Sequence, residues 1–234
     1  MSAPSTVGVV GAGTMGAAIA YVAAAAGHRV IVVDRDRERL EALPGRFRAS
    51  HRMQRLVAGR VPAADPDRLA ASVTTSVDVG AVAEAGLVVE NVTEDLGAKA
   101  EVYGRLGALC PAPAVLAANT SAIPIDWLAA RTAHPERVLG MHFMNPAELK
   151  PAVEVVRGPR TDAATLEAGL AFLGSLGKEP IVVGDGPGFV SNRLLMALVN
   201  DAAAALADGV AGADEIDRVM TACLGHPMGP LATA

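Results

Sequence analysis

The 234-residue chain has only two cysteines, Cys110 and Cys223, far apart and outside any Cys-x-x-Cys pattern. Such spacing suggests neither a zinc site nor a disulfide framework, no metal is expected, and a reducing, cytoplasmic setting fits best. The N-terminal stretch "MSAPSTVGVVGAG" lacks both a basic n-region and a long apolar core. No segment reaches about 18 uninterrupted apolar residues, so neither export nor a membrane span is expected. Without a secretory route, the Asn-x-Ser/Thr matches at Asn91 and Asn119 are not read as glycosylation sites. Basic charge is also in deficit: 25 acidic against 20 basic residues leave a net charge of −5, which argues against general nucleic-acid binding. One local basic stretch stands out, because eight of the Lys and Arg residues lie between Arg35 and Arg60. Lysine itself occurs three times. There is no internal repeat.

Apolar residues, by contrast, make up 51% of the chain, ample for a globular core. Short apolar runs alternate with segments of helical character: "VGVV" at 7–10, "VIVV" at 30–33, "LVVE" at 87–90 and "VLAAN" at 115–119. Runs that are apolar throughout suit parallel strands covered on both faces, and the segments between them are long enough for right-handed crossover helices. "RVLGMHF", "AVEVV" and "EPIVV" extend the sheet. After "GDGPGF" the glycines and Pro187 break the pattern, and the rest reads as helix, with a second helix from about Ala213 to Leu224. The expected fold is therefore α/β, a Rossmann-type mostly parallel sheet over 1–186 followed by a partial all-helical domain over 187–234.

"VGVVGAGTMGAAIA" places Gly11, Gly13 and Gly16 between the first strand and a helix, with Thr14 and Met15 inside the turn. The first glycine allows the tight turn, the second admits a pyrophosphate, and the third lets helix and strand pack closely. Asp34 ends the second strand, where a carboxylate can accept the ribose hydroxyls of NAD. It would repel the 2′-phosphate of NADP, a preference that the adjacent Arg35 can soften.

Four polar residues fall where strands or helices of such a fold would end: Ser121 in "NTSAIP", His142 in "MHFMNP", Glu154 in "AVEVV" and Asn192 in "GFVSNRLL". Each has a bland reading: Ser121 as a cap for a helix from Pro124, Glu154 as a surface carboxylate on an edge strand, Asn192 as an N-cap. Together with the glycine turn and "GHPMGP", these motifs resemble the 3-hydroxyacyl-CoA dehydrogenase family over essentially the whole chain. The resemblance implies that His142 is the general base, that Glu154 orients it, and that Ser121 and Asn192 hold the reacting oxygen or the thioester carbonyl. It further implies that Glu94, Lys99 and Asn119 contact the cofactor. Asn145 joins the substrate residues. Arg48, Arg52 and Arg55, at helical spacing, correspond to a basic segment near the family's CoA site, though they also suit a solvated helix face.

The implied substrate is a 3-hydroxyacyl thioester carried on CoA or an acyl carrier protein. Two departures from the family pattern bear on it. Glu148 and Lys150 bring charge to a segment that the family keeps mostly apolar, which suggests a short, polar acyl group. The family also continues past "GHPMGP" with helices that complete the cleft and the dimer interface. The resemblance thus implies a helical domain cut short at Ala234, apolar surface on the helices that remain, and a homodimer in the full-length form. Two alternatives stay open: a β-hydroxyacid dehydrogenase, disfavoured because its catalytic Lys has no counterpart beside Asn192, and a non-catalytic dinucleotide-binding protein.

Overall fold

The computed structural model describes residues 3–57 and 64–234, so Arg60, the end of the basic stretch, lies outside the described residues. The chain divides into two compact units, one ending at Asp185 and the other spanning Gly186–Ala234.

The first unit opens with β1 (Thr6–Val10), α1 (Thr14–Ala25) and β2 (Arg29–Val33). Val7, Val9 and Val10 of β1 and Val30 to Val33 of β2 are all buried, as expected for strands covered on both faces. Each such side chain contributes roughly 1.5–3 kcal/mol by leaving water. α1 is buried at every position from Gly16 to Ala24. Its alanines let it lie close to the sheet on one side while α3 covers it on the other.

Three helices follow, α2 (Arg37–Glu41), α3 (Leu43–Val57) and α4 (Pro66–Ser72). α3 buries Leu43 and Phe47 and turns its arginines outward; Phe47 meets Tyr21 of α1 edge-on, with ring centroids 5.5 Å apart. The chain then forms β3 (Thr74–Ser76), a 3₁₀ turn at Val79–Glu84, β4 (Leu87–Glu90) and α5 (Leu96–Leu109). Next come β5 (Val115–Ala118), α6 (Ile125–Ala129), β6 (Val138–His142), β7 (Ala152–Arg157), α7 (Ala163–Ser175) and β8 (Glu179–Gly184).

Among the described residues the sheet has eight strands in the order β3-β2-β1-β4-β5-β6-β7-β8. Every neighbouring pair is parallel except β6 and β7, which are antiparallel. The parallel Rossmann-type core is as expected. β3 was not foreseen, because "TTS" is three largely exposed polar residues at the sheet edge with no apolar run to announce it. The chain reversal puts the carboxyl end of β6 beside the start of β7, and the site depends on that placement.

The second unit holds α8 (Ser191–Ala207), α9 (Ala213–Arg218), a π-turn at Val219–Cys223 and α10 (Pro230–Thr233). The single helix expected from Ala213 to Leu224 thus widens in its second half. The Asp217 carboxylate accepts the backbone N–H groups of Leu231 and Ala232, each at 2.9 Å, which fixes the first turn of α10. Leu194, Val210 and Leu224 are well exposed. Among the described residues no helix is long and apolar enough to cross a membrane, and no cluster of three or more His, Cys, Asp or Glu could hold a metal.

Candidate active site

The glycine turn has the geometry its sequence implied. Gly11 has a φ of +97°, and a Cβ there would stand 2.6 Å from the Asn91 carbonyl oxygen. A Cβ on Gly16 would fall 1.8 Å from the Gly11 oxygen, so any side chain would push α1 off the loop. Over Gly13 there is open space, with nothing within 4 Å of an added Cβ. No side chain caps α1, which leaves its first N–H groups and positive dipole end for an anion, beside the exposed Thr14 and half-buried Met15. A cavity of about 390 Å³ opens next to this turn, with Asp34, Arg35, Arg39, Val77, Val102 and Arg105 among its walls. These features fit a dinucleotide: room for the pyrophosphate, unspent amides to hold it, and a cavity beside an acid.

Asp34 does more than its sequence position suggested. It is nearly buried, and it accepts Ala12 N–H through Oδ2 at 2.7 Å and Asp36 N–H through Oδ1 at 2.9 Å. The carboxylate therefore ties the glycine turn to the end of β2, and each oxygen keeps one lone pair for a ligand hydroxyl. Arg39 stands 3.9 Å from Oδ2.

At the carboxyl end of β6, the pairing of β6 with β7 brings His142 and Glu154 together as direct cross-strand partners. His142 Nδ1 lies 2.9 Å from Glu154 Oε2, and Nε2 lies 3.1 Å from Ser121 Oγ. An ionised carboxylate can only accept, so Glu154 selects the tautomer with the proton on Nδ1 and leaves the Nε2 lone pair directed at Ser121. The bland readings of all three residues are overturned. Glu154 is 9% exposed on a strand flanked on both sides, and α6 has Pro124 at its N-cap with no side-chain capping bond, so Ser121 is not its cap. Asn192 belongs to the second unit and is not an N-cap either; it is the second residue of α8, after Val190 at the cap.

The loop carrying Ser121 is held by residues of the preceding crossover. Glu94 Oε1 accepts the Thr120 hydroxyl, the Ser121 N–H at 2.8 Å and the Ala122 N–H at 3.3 Å. Burial alone would raise the Glu94 carboxyl, but these bonds and the nearby Lys99 charge hold it below its ordinary value. Lys99 itself corrects an expectation. Its side chain has no exposed surface, so it offers a cofactor nothing directly; its ammonium bonds both oxygens of Glu90 at 2.9 Å and stands 3.6 Å from Glu94. Asn119, expected to touch the cofactor, is engaged with the protein: its amide donates to Asn91 Oδ1 at 2.7 Å and its oxygen accepts Phe143 N–H at 3.1 Å. That bond fixes the residue after His142.

Glu90, Asn91 and Thr120 were missed by sequence reasoning. Glu90 had a readable signal, being an acid at the end of an apolar strand just as Asp34 is, and Thr120 sits between two residues already singled out.

The arginines of α3 divide. Arg48 pairs with Asp67 of α4 at 2.5 Å, while Arg52 and Arg55 are exposed. Asn145 is exposed in the loop after β6. Glu148 does not supply an open charge for a polar substrate. Its Oε2 is buried, its backbone oxygen accepts Gln54 Nε2 at 3.1 Å, and its charge adds to the burial that raises the Tyr21 hydroxyl to about 12. Lys150 is exposed.

Comparison with known proteins gives a consistent picture. The family of 3-hydroxyacyl-CoA dehydrogenase NAD binding domains matches residues 6–186, and that of 3-hydroxyacyl-CoA dehydrogenase C-terminal domains matches residues 188–234. A probable 3-hydroxybutyryl-CoA dehydrogenase of Bacillus subtilis is 39% identical over 227 residues, which are 97% of this chain and 78% of that protein. The 3-hydroxybutyryl-CoA dehydrogenase of Mycobacterium tuberculosis is 42% identical over 230 residues, covering 96% of this chain and 79% of the relative. The crystal structure of (S)-3-hydroxybutyryl-CoA dehydrogenase from Ralstonia eutropha superimposes with a TM-score of 0.92 at 35% identity, over 99% of this chain and 82% of that one.

Proposed function

The chain belongs to the 3-hydroxyacyl-CoA dehydrogenase family, and on that premise we propose which of its side chains perform the reaction. The activity is NAD-dependent oxidation of a 3-hydroxyacyl-CoA to the 3-oxoacyl-CoA, or the reverse. Bound NAD supplies the hydride acceptor. His142 Nε2 takes the proton of the 3-hydroxyl, and Glu154, bonded to Nδ1, fixes the tautomer and offsets the charge of the imidazolium that forms. Ser121 Oγ, 3.1 Å from the same nitrogen, donates to the reacting oxygen and keeps it within reach of the base. Asn192 donates to the thioester carbonyl. Asn145 lines the acyl site, and Arg52 and Arg55 meet the phosphates of CoA, where exposed guanidinium groups suit an anion.

The observation that carries this reading is the unbroken line Ser121–His142–Glu154, built at the same edge of the sheet as the glycine turn. A test is NADH formation from 3-hydroxybutyryl-CoA by the protein and by Glu154→Gln. The amide can present either end to Nδ1 and so loses both tautomer control and charge compensation; kcat should fall by roughly 10²–10⁴-fold, the range a positioned base contributes. Undiminished turnover would remove Glu154 from the mechanism.

The cofactor site makes a separate prediction. Asp34→Ser removes the charge that repels a 2′-phosphate and leaves Arg35 and Arg39 beside the vacated position. The ratio of kcat/KM for NADP to that for NAD should rise by about tenfold or more, equivalent to about 1.4 kcal/mol, although turnover falls overall because Ala12 N–H loses its acceptor. An unchanged ratio would mean that Asp34 acts only as a clamp. Self-association as a homodimer is proposed for the full-length form, a reading that the exposure of Leu194, Val210 and Leu224 in the second unit supports.

A further inference from the structure

We infer that Thr120 and Glu94 are positioning residues that hold the Ser121 hydroxyl against His142, anchored from beneath by the buried Lys99–Glu90 pair. This inference rests on the reading of Ser121 and His142 given above. Ser121 lies on an exposed loop between β5 and α6 and belongs to neither. A loop residue in such a place has many conformations open to it, and a misplacement of about 1 Å at a reacting group can lower turnover by about 10²-fold. Something must restrict the loop, and the cap of α6 does not come from it, since the Asp126 N–H in the first turn is accepted by Asp185 Oδ2 at 2.8 Å.

One oxygen supplies such a restriction. Glu94 Oε1 accepts three donors from three consecutive residues, the Thr120 hydroxyl and the N–H groups of Ser121 and Ala122, so that Ser121 is gripped on both sides. Thr120 is buried, and its hydroxyl also accepts Ile123 N–H at 3.1 Å. The single hydroxyl proton thus goes to Glu94 and the lone pair to the next turn of backbone, an arrangement that serine could reproduce and valine could not. The other Glu94 oxygen faces the Lys99 ammonium at 3.6 Å, and that ammonium is locked by two 2.9 Å bonds to Glu90 at the end of β4. The position of Ser121 is therefore referred to the sheet through a chain of charged groups. His142 is referred to the same sheet through β6. Two partners fixed to one frame keep their spacing when the surface loop around one of them moves.

Thr120 is the better probe, because Glu94 stands where the family contacts its cofactor. Thr120→Val and Thr120→Ser would be made in the native chain and in Ser121→Ala, with kcat read at saturating NAD and 3-hydroxybutyryl-CoA. Amide hydrogen exchange at Ser121 and Ala122 would be read without cofactor or substrate. Thr120→Val should lower kcat about tenfold and speed exchange at both amides, and Thr120→Ser should restore most of each. In the Ser121→Ala background, Thr120→Val should change kcat less than twofold, because there is no hydroxyl left to position. An equal loss in both backgrounds, or unaltered exchange, would overturn the inference and leave the role of Ser121 standing. Full turnover by Ser121→Ala alone would overturn both. Should Thr120→Val fail to fold, Glu94→Gln carries the same exchange test and the same comparison of backgrounds.

Discussion

Replacing His142 with alanine is expected to lower turnover by about 10²–10⁴-fold, the contribution of a positioned general base. The geometry explains why no neighbour can substitute. Ser121 Oγ and Glu154 Oε2 sit on opposite nitrogens of the imidazole, at 3.1 and 2.9 Å, so removing the ring leaves a gap between a hydroxyl and a carboxylate that no longer meet. The variant also takes one hydrogen bond from the Glu154 carboxylate, which is 9% exposed; losing one bond to a buried polar group costs about 1–3 kcal/mol. Steady-state NADH formation should therefore fall sharply while the glycine turn, several strands away in the sheet, still binds NAD, as calorimetry would show. Turnover within threefold of the native chain would mean that another group takes the proton.

Lys99→Met is expected to have the largest effect on stability. The lysine side chain has no exposed surface and Glu90 only 1%. Removing one partner of such a pair costs about 3–5 kcal/mol, because the remaining charge is left without compensation in a low dielectric. The pH dependence has a definite sign. In the native chain burial raises the Glu90 carboxyl, and the charge and hydrogen bonds of Lys99 pull it back only in part. Without Lys99 it rises further. A carboxyl whose folded value lies above its unfolded value of about 4.5 weakens the fold as pH rises through that window, since the unfolded chain releases the proton first. The deficit of Lys99→Met in urea denaturation should therefore be greatest at neutral pH and shrink as pH falls toward 5. A deficit that is constant with pH would place the loss in packing rather than charge.

Much of the fold was legible because it rests on runs of residues. The valines of β1 and β2 and the glycines between them constrain one another closely, and parallel burial leaves an apolar signature of short β-branched runs. β3 left none, since an exposed edge strand of "TTS" needs no apolar face. The site was legible as a set of residues and not as a set of contacts. His142, Glu154 and Ser121 could be picked out as polar residues at element ends, but their bonds depend on the reversal between β6 and β7, which is a property of pairing and not of composition. Lys99 was misjudged for the same reason. The lysine in "TEDLGAK" was expected at the cofactor, and only the cap of α5 by Asp95, which accepts Ala98 N–H at 2.8 Å, shows why the helix turns that position inward onto Glu90. Glu148 likewise looked like a substrate contact until one of its carboxylate oxygens was found buried.

The antiparallel pairing of β6 and β7 makes His142 with Glu154 the end rung of one ladder, continued by the rungs Met141 with Val155 and Gly140 with Val156. The spacing of acid and base is thus written in backbone hydrogen bonds and owes nothing to the nine residues between the strands, from Phe143 to Pro151. A one-residue slip inside either strand would send Glu154 to the opposite face of the sheet, whereas the intervening loop can lengthen, shorten or change sequence with the pair undisturbed. The register that pairs His142 with Glu154 is in this way carried by one part of the chain and the loop beside it by another, so an exchange of that loop is expected to leave the proposed proton-transfer pair in place.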